Sequence, residues 1–306
     1  MPSSTVPFDD AARNMRESSA AFGLARTLAL ETEAFVPDDP KSQPRNRWSG
    51  KWALITGASA GIGWELAEQL AAGGAHLVLT ARRTDRLQKL AADLSAKHGI
   101  SVEVFTADLT RPGAPGEIYA FTQRKSLEIE LLVNNAGFGA FGYNHEIPED
   151  RLLEMVQVNC LAVVHLTRLY VPAMVERRHG DVLIVASTAA FQAVPFNSVY
   201  AATKAFDLLF AEGISEELRP LGVNVCALCP GPTTTEFQQV AQQPNRTFKV
   251  AETAEKVARV GLEGLAKGKS YVISGAMNRL MMESERLAPR RFVAKMAAKM
   301  MRPEGS

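Results

Sequence analysis

The stretch Lys51-Trp-Ala-Leu-Ile-Thr-Gly57-Ala-Ser-Ala-Gly61-Ile-Gly63 takes an apolar strand directly into three glycines and then into a helix. Trp52 to Ile55 suits a strand buried on both faces, and the segment from Trp64 to Gly73 reads as the helix that follows. The turn between them lies at a helix N-terminus, where free backbone N–H groups and the positive end of the dipole favour a phosphate. Glycine lets the backbone turn sharply and lets a pyrophosphate approach with no Cβ in the way. The spacing Gly57-x-x-x-Gly61-x-Gly63 makes this a variant of the dinucleotide turn, which alone is also compatible with an ordinary strand-to-helix turn.

Outward from that turn the chain alternates. Strands are expected at 53–55, 76–80, 102–105, 131–133, 182–185, 223–228 and 271–273, with helices at 64–73, 84–98, 116–127, 149–178, 199–219 and 253–267. Seven strands linked by helices predict an α/β fold in three layers, a doubly wound parallel seven-stranded sheet. Three segments are expected: an N-terminal extension and linker at 1–47, a nucleotide-binding domain at 48–276 and a basic tail at 277–306. The linker is recognised by Pro37-Asp-Asp-Pro-Lys-Ser-Gln-Pro.

With 306 residues and 46% hydrophobic content the chain can bury a large core, and a net charge of +1 gives no reason to expect nucleic acid as a partner. Cys160, Cys226 and Cys229 are too few for a disulfide framework and suit a reducing compartment. Cys226 and Cys229 match C-x-x-C, but on a strand residues three apart point to opposite faces, so they read as core. The five histidines show no metal-ligand spacing, and no metal is expected. With no signal-type N-terminus and no uninterrupted apolar run of membrane-spanning length, a cytoplasmic location is expected.

Ligands bind such sheets at the carboxyl ends of the strands. The second strand ends in Ala81-Arg82-Arg83, where a carboxylate would meet a ribose 2′-hydroxyl and an arginine would meet a 2′-phosphate. NADP, used as NADPH, is therefore expected over NAD. Asp108 and Leu109 follow the third strand and Asn134-Asn135-Ala136-Gly137 the fourth; either could also be a cap or a turn. Asn159 interrupts an apolar helix face and needs hydrogen-bond partners there, as a structural bridge or as a site residue.

Ser187 stands at the carboxyl end of the fifth strand, and thirteen residues later Tyr200 and Lys204 share a helix face at i and i+4. A free tyrosine titrates near pH ~10, and a nearby ammonium is expected to pull that value down toward the working range. A serine hydroxyl beside them can hold a carbonyl oxygen while a hydride arrives at its carbon.

These residues together resemble the short-chain dehydrogenases/reductases in their compact single-domain form. Thr56–Gly63 is similar to that family's cofactor turn, Asn134–Gly137 to its central-strand motif, Asn159, Ser187, Tyr200 and Lys204 to its catalytic tetrad, and Pro230–Thr235 to its nicotinamide-contacting segment. The resemblance covers residues 50 to 275 and implies a Rossmann fold and an oxidoreductase acting on CH–OH groups. It implies Tyr200 as general acid/base, Lys204 as the group that lowers its pKa and binds the nicotinamide ribose, Ser187 as the carbonyl holder, and Asn159 on a water-linked proton route. It further implies cofactor contacts from Gly57, Ser59, Gly61, Ile62, Gly63, Arg82, Asp108, Leu109, Asn135, Tyr200, Lys204, Pro230, Gly231 and Thr235. Two departures stand out. Ala60 occupies a position often basic in the family, leaving Arg82 and Arg83 for the phosphate, and the ending after Ile273 is replaced by a basic tail.

The expected substrate is a hydrophobic, lipid-, acyl- or steroid-like carbonyl or alcohol, walled by Phe138, Phe141, Tyr143, Phe191, Val194, Pro195 and Phe196, with 236–250 as a lid. The alternative is an idle nucleotide-binding protein acting through its tails. The tail from Arg279 to Arg302 carries seven basic and two acidic residues, and Pro289 should divide it into two helices. Its apolar side, with Leu287, Phe292, Val293, Met296 and Met300, is expected either to pack on protein, including a homo-oligomer (dimer or tetramer), or to contact a membrane peripherally.

Overall fold

The computed structural model describes residues 47–243, 251–285 and 288–303. The expected extension at 1–47, apart from Arg47, and the second half of the expected lid lie outside them, as do Arg286 and Leu287.

The elements run β1 (Trp52–Thr56), α1 (Gly61–Ala72), β2 (His76–Ala81), α2 (Thr84–His98), β3 (Val102–Thr106), α3 (Ala114–Arg124) and β4 (Ile129–Asn134). There follow α4 (Glu149–Val156), a π-helical turn (Gln157–Leu161), α5 (Ala162–Glu176), β5 (Gly180–Val185), a 3-10 turn (Thr188–Phe191), α6 (Ser198–Leu218) and β6 (Val223–Cys229). The chain continues with β7 (Thr233–Thr234), α7 (Phe237–Val240), β8 (Glu252–Thr253), α8 (Ala254–Ala266), β9 (Tyr271–Ile273), α9 (Ala276–Glu285) and α10 (Arg290–Met301).

The main sheet is parallel and seven-stranded, in the order β3-β2-β1-β4-β5-β6-β9. The order turns back between β1 and β4, so β1 to β3 wind one way from that line and β4, β5, β6 and β9 the other, and a crevice opens above it. The central strands β4 and β5 are buried throughout, as continuous apolar runs covered on both faces require. Two hydrophobic clusters form, one on each side of the sheet; Cys229 belongs to one and Cys226 to the other, which is the divergence expected of that pair.

At the amino end of β5, the buried Asp181 accepts two hydrogen bonds from Arg47, one from Trp48 Nε1 and one from Asn224, so its charge is fully met where the chain enters the sheet. The expected long helix at 149–178 is broken by the π-helical turn around Asn159. By length and composition Glu149–Glu176 could cross a membrane, but 50% of its most apolar window is buried in the fold, and it serves as a core layer. The tail forms two helices, with Pro289 at the N-cap of α10.

Candidate active site at the carboxyl edge of the sheet

The glycine turn fits a dinucleotide by its own geometry. Gly57 and Gly61 hold positive φ values of 67° and 57°. A Cβ on Gly63 would come 2.4 Å from Asn135 Nδ2 and 2.5 Å from the Gly57 carbonyl oxygen, so no other residue fits there. Helix α1 starts from Ala60 with no side-chain cap and no acidic residue in its first turn, leaving its N-terminal N–H groups for an anion. Asn135 locks the turn to β4: its side chain donates to the Thr56 and Gly57 carbonyls, while its N–H and that of Ala136 donate to Thr56 Oγ1.

A single cavity of about 1370 Å³ runs along this edge. Gly57, Ser59, Gly61, Ile62, Arg82, Asp108, Leu109 and Asn135 line the half at the glycine turn, Thr235 stands against Gly61, and Tyr200, Lys204, Pro230 and Gly231 lie further along. Gly63 and Asn159 stand behind the wall. Asp108 also closes a turn, accepting from the Thr110 N–H and hydroxyl at 3.0 Å each. Arg82 is exposed at the rim, whereas Arg83 reaches Ser59 Oγ with two nitrogens, at 3.2 and 3.1 Å.

In the other half, Ser187 caps the 3-10 turn by accepting from the Ala189 N–H at 3.1 Å and hydrogen-bonds the Tyr200 phenol. Lys204 donates to the Val185 carbonyl at 2.7 Å and to Asp207 Oδ2 at 2.9 Å, which leaves one of its three N–H donors. Asn159 donates to the Phe138 carbonyl and Thr203 Oγ1 and accepts from the Phe138 N–H, tying the β4 loop to α6. A Cβ on Gly137 would meet Asn159 Oδ1 at 3.1 Å and Lys204 Nζ at 3.4 Å, so the two groups flank one bare point of backbone.

Tyr200 does not follow the sequence expectation. Burial raises its pKa above the ordinary tyrosine value, and this outweighs the downward pull of Lys204 and of the Ser187 hydrogen bond. The Asp207 carboxylate, which was not singled out in the sequence, adds to the rise. Asp207 is itself pushed up to about 6 by burial, against the pull of Lys204, and its Oδ1 is buried with no partner. Burial works against the Lys204 charge, but Asp207 and Tyr200 carry its pKa above the usual lysine value. At neutral pH the phenol is therefore held protonated beside a charged lysine, an arrangement poised to give a proton.

The expected substrate wall is only partly correct. Phe138 and Val194 line the cavity, but Phe141 and Tyr143 pack on Phe196 with ring centroids at 6.5 and 5.1 Å, and Phe191 packs on Tyr271. The apolar wall comes instead from Phe237 and Val240 of α7 and from Met281, Met282, Phe292, Val293, Met296 and Met301 of the tail. Asn278 seats α9 by donating to the Ser274 carbonyl, directly over Gly231, whose missing Cβ leaves the room.

Fold, glycine turn and polar cluster define a dinucleotide-binding α/β protein with a proton-donor site. A profile of the short chain dehydrogenase family matches residues 51–246. A very-long-chain 3-oxoacyl-CoA reductase of Phaeosphaeria nodorum is 33% identical over 227 residues, 69% of this chain; the match spans 64% of that relative's own length, just under two thirds. The Mus musculus protein of the same description is 33% identical over 270 residues, 86% of this chain and 82% of that one. Among solved structures, a short-chain dehydrogenase from Sphingobium yanoikuyae in complex with NADPH is 31% identical, with a TM-score of 0.71 over 78% of this chain and 93% of that one. The chain therefore belongs to the short-chain dehydrogenase family.

Proposed function

We propose that the protein is an NADP(H)-dependent oxidoreductase that interconverts a ketone and an alcohol on a long apolar, acyl-like substrate. The observation that carries this reading is the placing of the protonated Tyr200, with Ser187 and Lys204, in a cavity whose outer wall is built from the methionines and aromatic residues of α7, α9 and α10. Flexible methionine-rich walls suit a chain without a fixed shape. The relatives named above, two of them reductases of very long 3-oxoacyl chains, and the NADPH held by the solved neighbour support the same substrate class and cofactor.

NADPH, held along the glycine turn, would supply the hydride when bound. Ser187 holds the carbonyl oxygen, Tyr200 gives it the proton, and Lys204 stabilises the phenolate left behind while keeping one donor for the ribose. Asn159 keeps the Gly137–Phe138 backbone and α6 in register around Lys204. Gly57, Ser59, Gly61, Ile62 and Gly63 shape the phosphate cradle, with Arg82 and Arg83 for the 2′-phosphate. Asp108, Leu109 and Asn135 serve the adenosine side, and Pro230, Gly231 and Thr235 the nicotinamide side.

Residues 48–276 act as the nucleotide-binding catalytic domain, and α9 and α10 as the cover of its cavity. At the mouth of the cavity Met277, Phe292 and Met300, with Leu280 nearby on α9, are exposed, and α10 also exposes Arg290, Arg291, Lys295 and Lys299, which supports peripheral contact with an anionic membrane. Exposed Leu161, Phe206 and Leu209 support a homo-oligomer. Nothing favours the idle nucleotide-binding alternative. The direct test is NADPH absorbance against 3-oxoacyl thioesters of increasing chain length: kcat/KM should rise with chain length. Turnover only of short or polar ketones would sink the substrate class.

A further inference from the structure

The same arginine that serves the adenosine end is already engaged by an acid from the lid. Arg83 Nη1 donates to Glu236 Oε2 at 2.6 Å and Arg86 Nη1 donates to Glu236 Oε1 at 2.7 Å, so one carboxylate bridges two guanidinium groups. Hydrogen bonds from Arg86 and then from Arg83 hold that carboxyl below its usual range. On its other edge Arg83 reaches Ser59 in the glycine turn. A phosphate joining two arginines would use the same donors in the same fork geometry.

Glu236 also starts a strap that runs from the adenosine end to the reacting end. The Thr235 methyl carbon lies 3.0 Å from where a Cβ on Gly61 would stand, over the phosphate cradle. The Phe237 ring packs on the Tyr200 ring at 5.2 Å between centroids. The far end of the strap is pinned: the Phe141 N–H donates to the Ala241 carbonyl at 3.0 Å and Arg151 donates to the Val240 carbonyl at 3.0 Å. Glu236 is thus the charged fastening at one end of a segment whose middle covers the proton donor.

We propose that Glu236 is a built-in competitor for the cofactor's 2′-phosphate, and that the phosphate, on reaching Arg83, displaces the carboxylate and loosens the strap of residues 235–241 over Tyr200. This rests on the NADP(H) reading. It makes cofactor binding a precondition for admitting the carbonyl substrate, and it sets the affinity for the phosphorylated cofactor below what the arginines alone would give.

The test uses 2′,5′-ADP, which carries the 2′-phosphate, and 5′-AMP, which does not, titrated into the full chain and into Glu236→Gln by calorimetry. Glu236→Gln should bind 2′,5′-ADP about fivefold more tightly, the scale of a half-exposed ion pair, and 5′-AMP unchanged. Saturating 2′,5′-ADP should speed hydrogen exchange of the amides of 237–241 in the unaltered protein, 5′-AMP should not, and in Glu236→Gln exchange should be fast without either. If Glu236→Gln binds 2′,5′-ADP equally or more weakly, Glu236 is a bystander or an organiser and the proposal fails. Slower exchange with 2′,5′-ADP overturns the strap. If both nucleotides bind alike to both proteins, the NADP(H) reading fails with the proposal; 2′,5′-ADP preferred equally by both leaves that reading intact and ends the proposal alone.

Discussion

Lys204 Nζ lies 2.9 Å from the carboxylate of Asp207, one turn further along α6, and both side chains are closed to solvent. A buried ammonium needs a counter-charge, and Asp207 supplies it at the expense of the field that Lys204 projects onto Tyr200.

Asp207→Asn should keep a hydrogen bond to Lys204 but remove the negative charge that raises the Tyr200 pKa. The phenol would then ionise at lower pH. Alcohol oxidation needs the phenolate as base and rises as pH climbs through the Tyr200 pKa, so its rising limb should move to lower pH. Loss of one partner of a buried pair should also cost about 3 kcal/mol of stability. A pH–rate profile and a melting curve check both; an unmoved limb would show that Asp207 does not act on Tyr200.

Arg82→Ala should raise the Kd for NADPH about tenfold, as loss of a charge-assisted contact does, and leave NADH within about twofold. Fluorescence titration with each cofactor measures it. Equal losses for both would place the 2′-phosphate elsewhere.

The sheet was legible because its strands are continuous apolar runs and its helices end on signals such as Gly99, which caps α2 in the left-handed conformation at φ 67°. The π-helical turn at Gln157–Leu161 was not, since it goes with bonds from Asn159 to Phe138 and Thr203, 21 and 44 residues away. The pairing of Glu236 with Arg83 spans 153 residues and leaves no local pattern. The spacing of Tyr200 and Lys204 was readable, but burial, which decides the direction of the Tyr200 shift, is a property of the packed site. Phe141, Tyr143 and Phe196 misled because an aromatic loop residue looks the same whether it lines a cavity or packs on its neighbours.

The tail gives a membrane prediction. The full-length protein should sediment with anionic vesicles at low salt and be released at high salt, because screening removes the attraction of Arg290, Arg291, Lys295 and Lys299. Phe292→Glu with Met300→Glu should abolish sedimentation while the helix stays basic. A full-length protein that never sediments at low salt would end the membrane reading, and a change in particle size in the variant would favour assembly instead.

The central claim is that Tyr200 gives the proton in carbonyl reduction, and Tyr200→Phe tests it most directly because it removes one hydroxyl and keeps the ring that packs on Phe237. With NADPH and a long-chain 3-oxoacyl thioester, kcat should fall by about 10²- to 10⁴-fold while the Kd for NADPH stays within about twofold. A Tyr200→Phe protein that turns over at a near-native kcat would contradict the mechanism at its root.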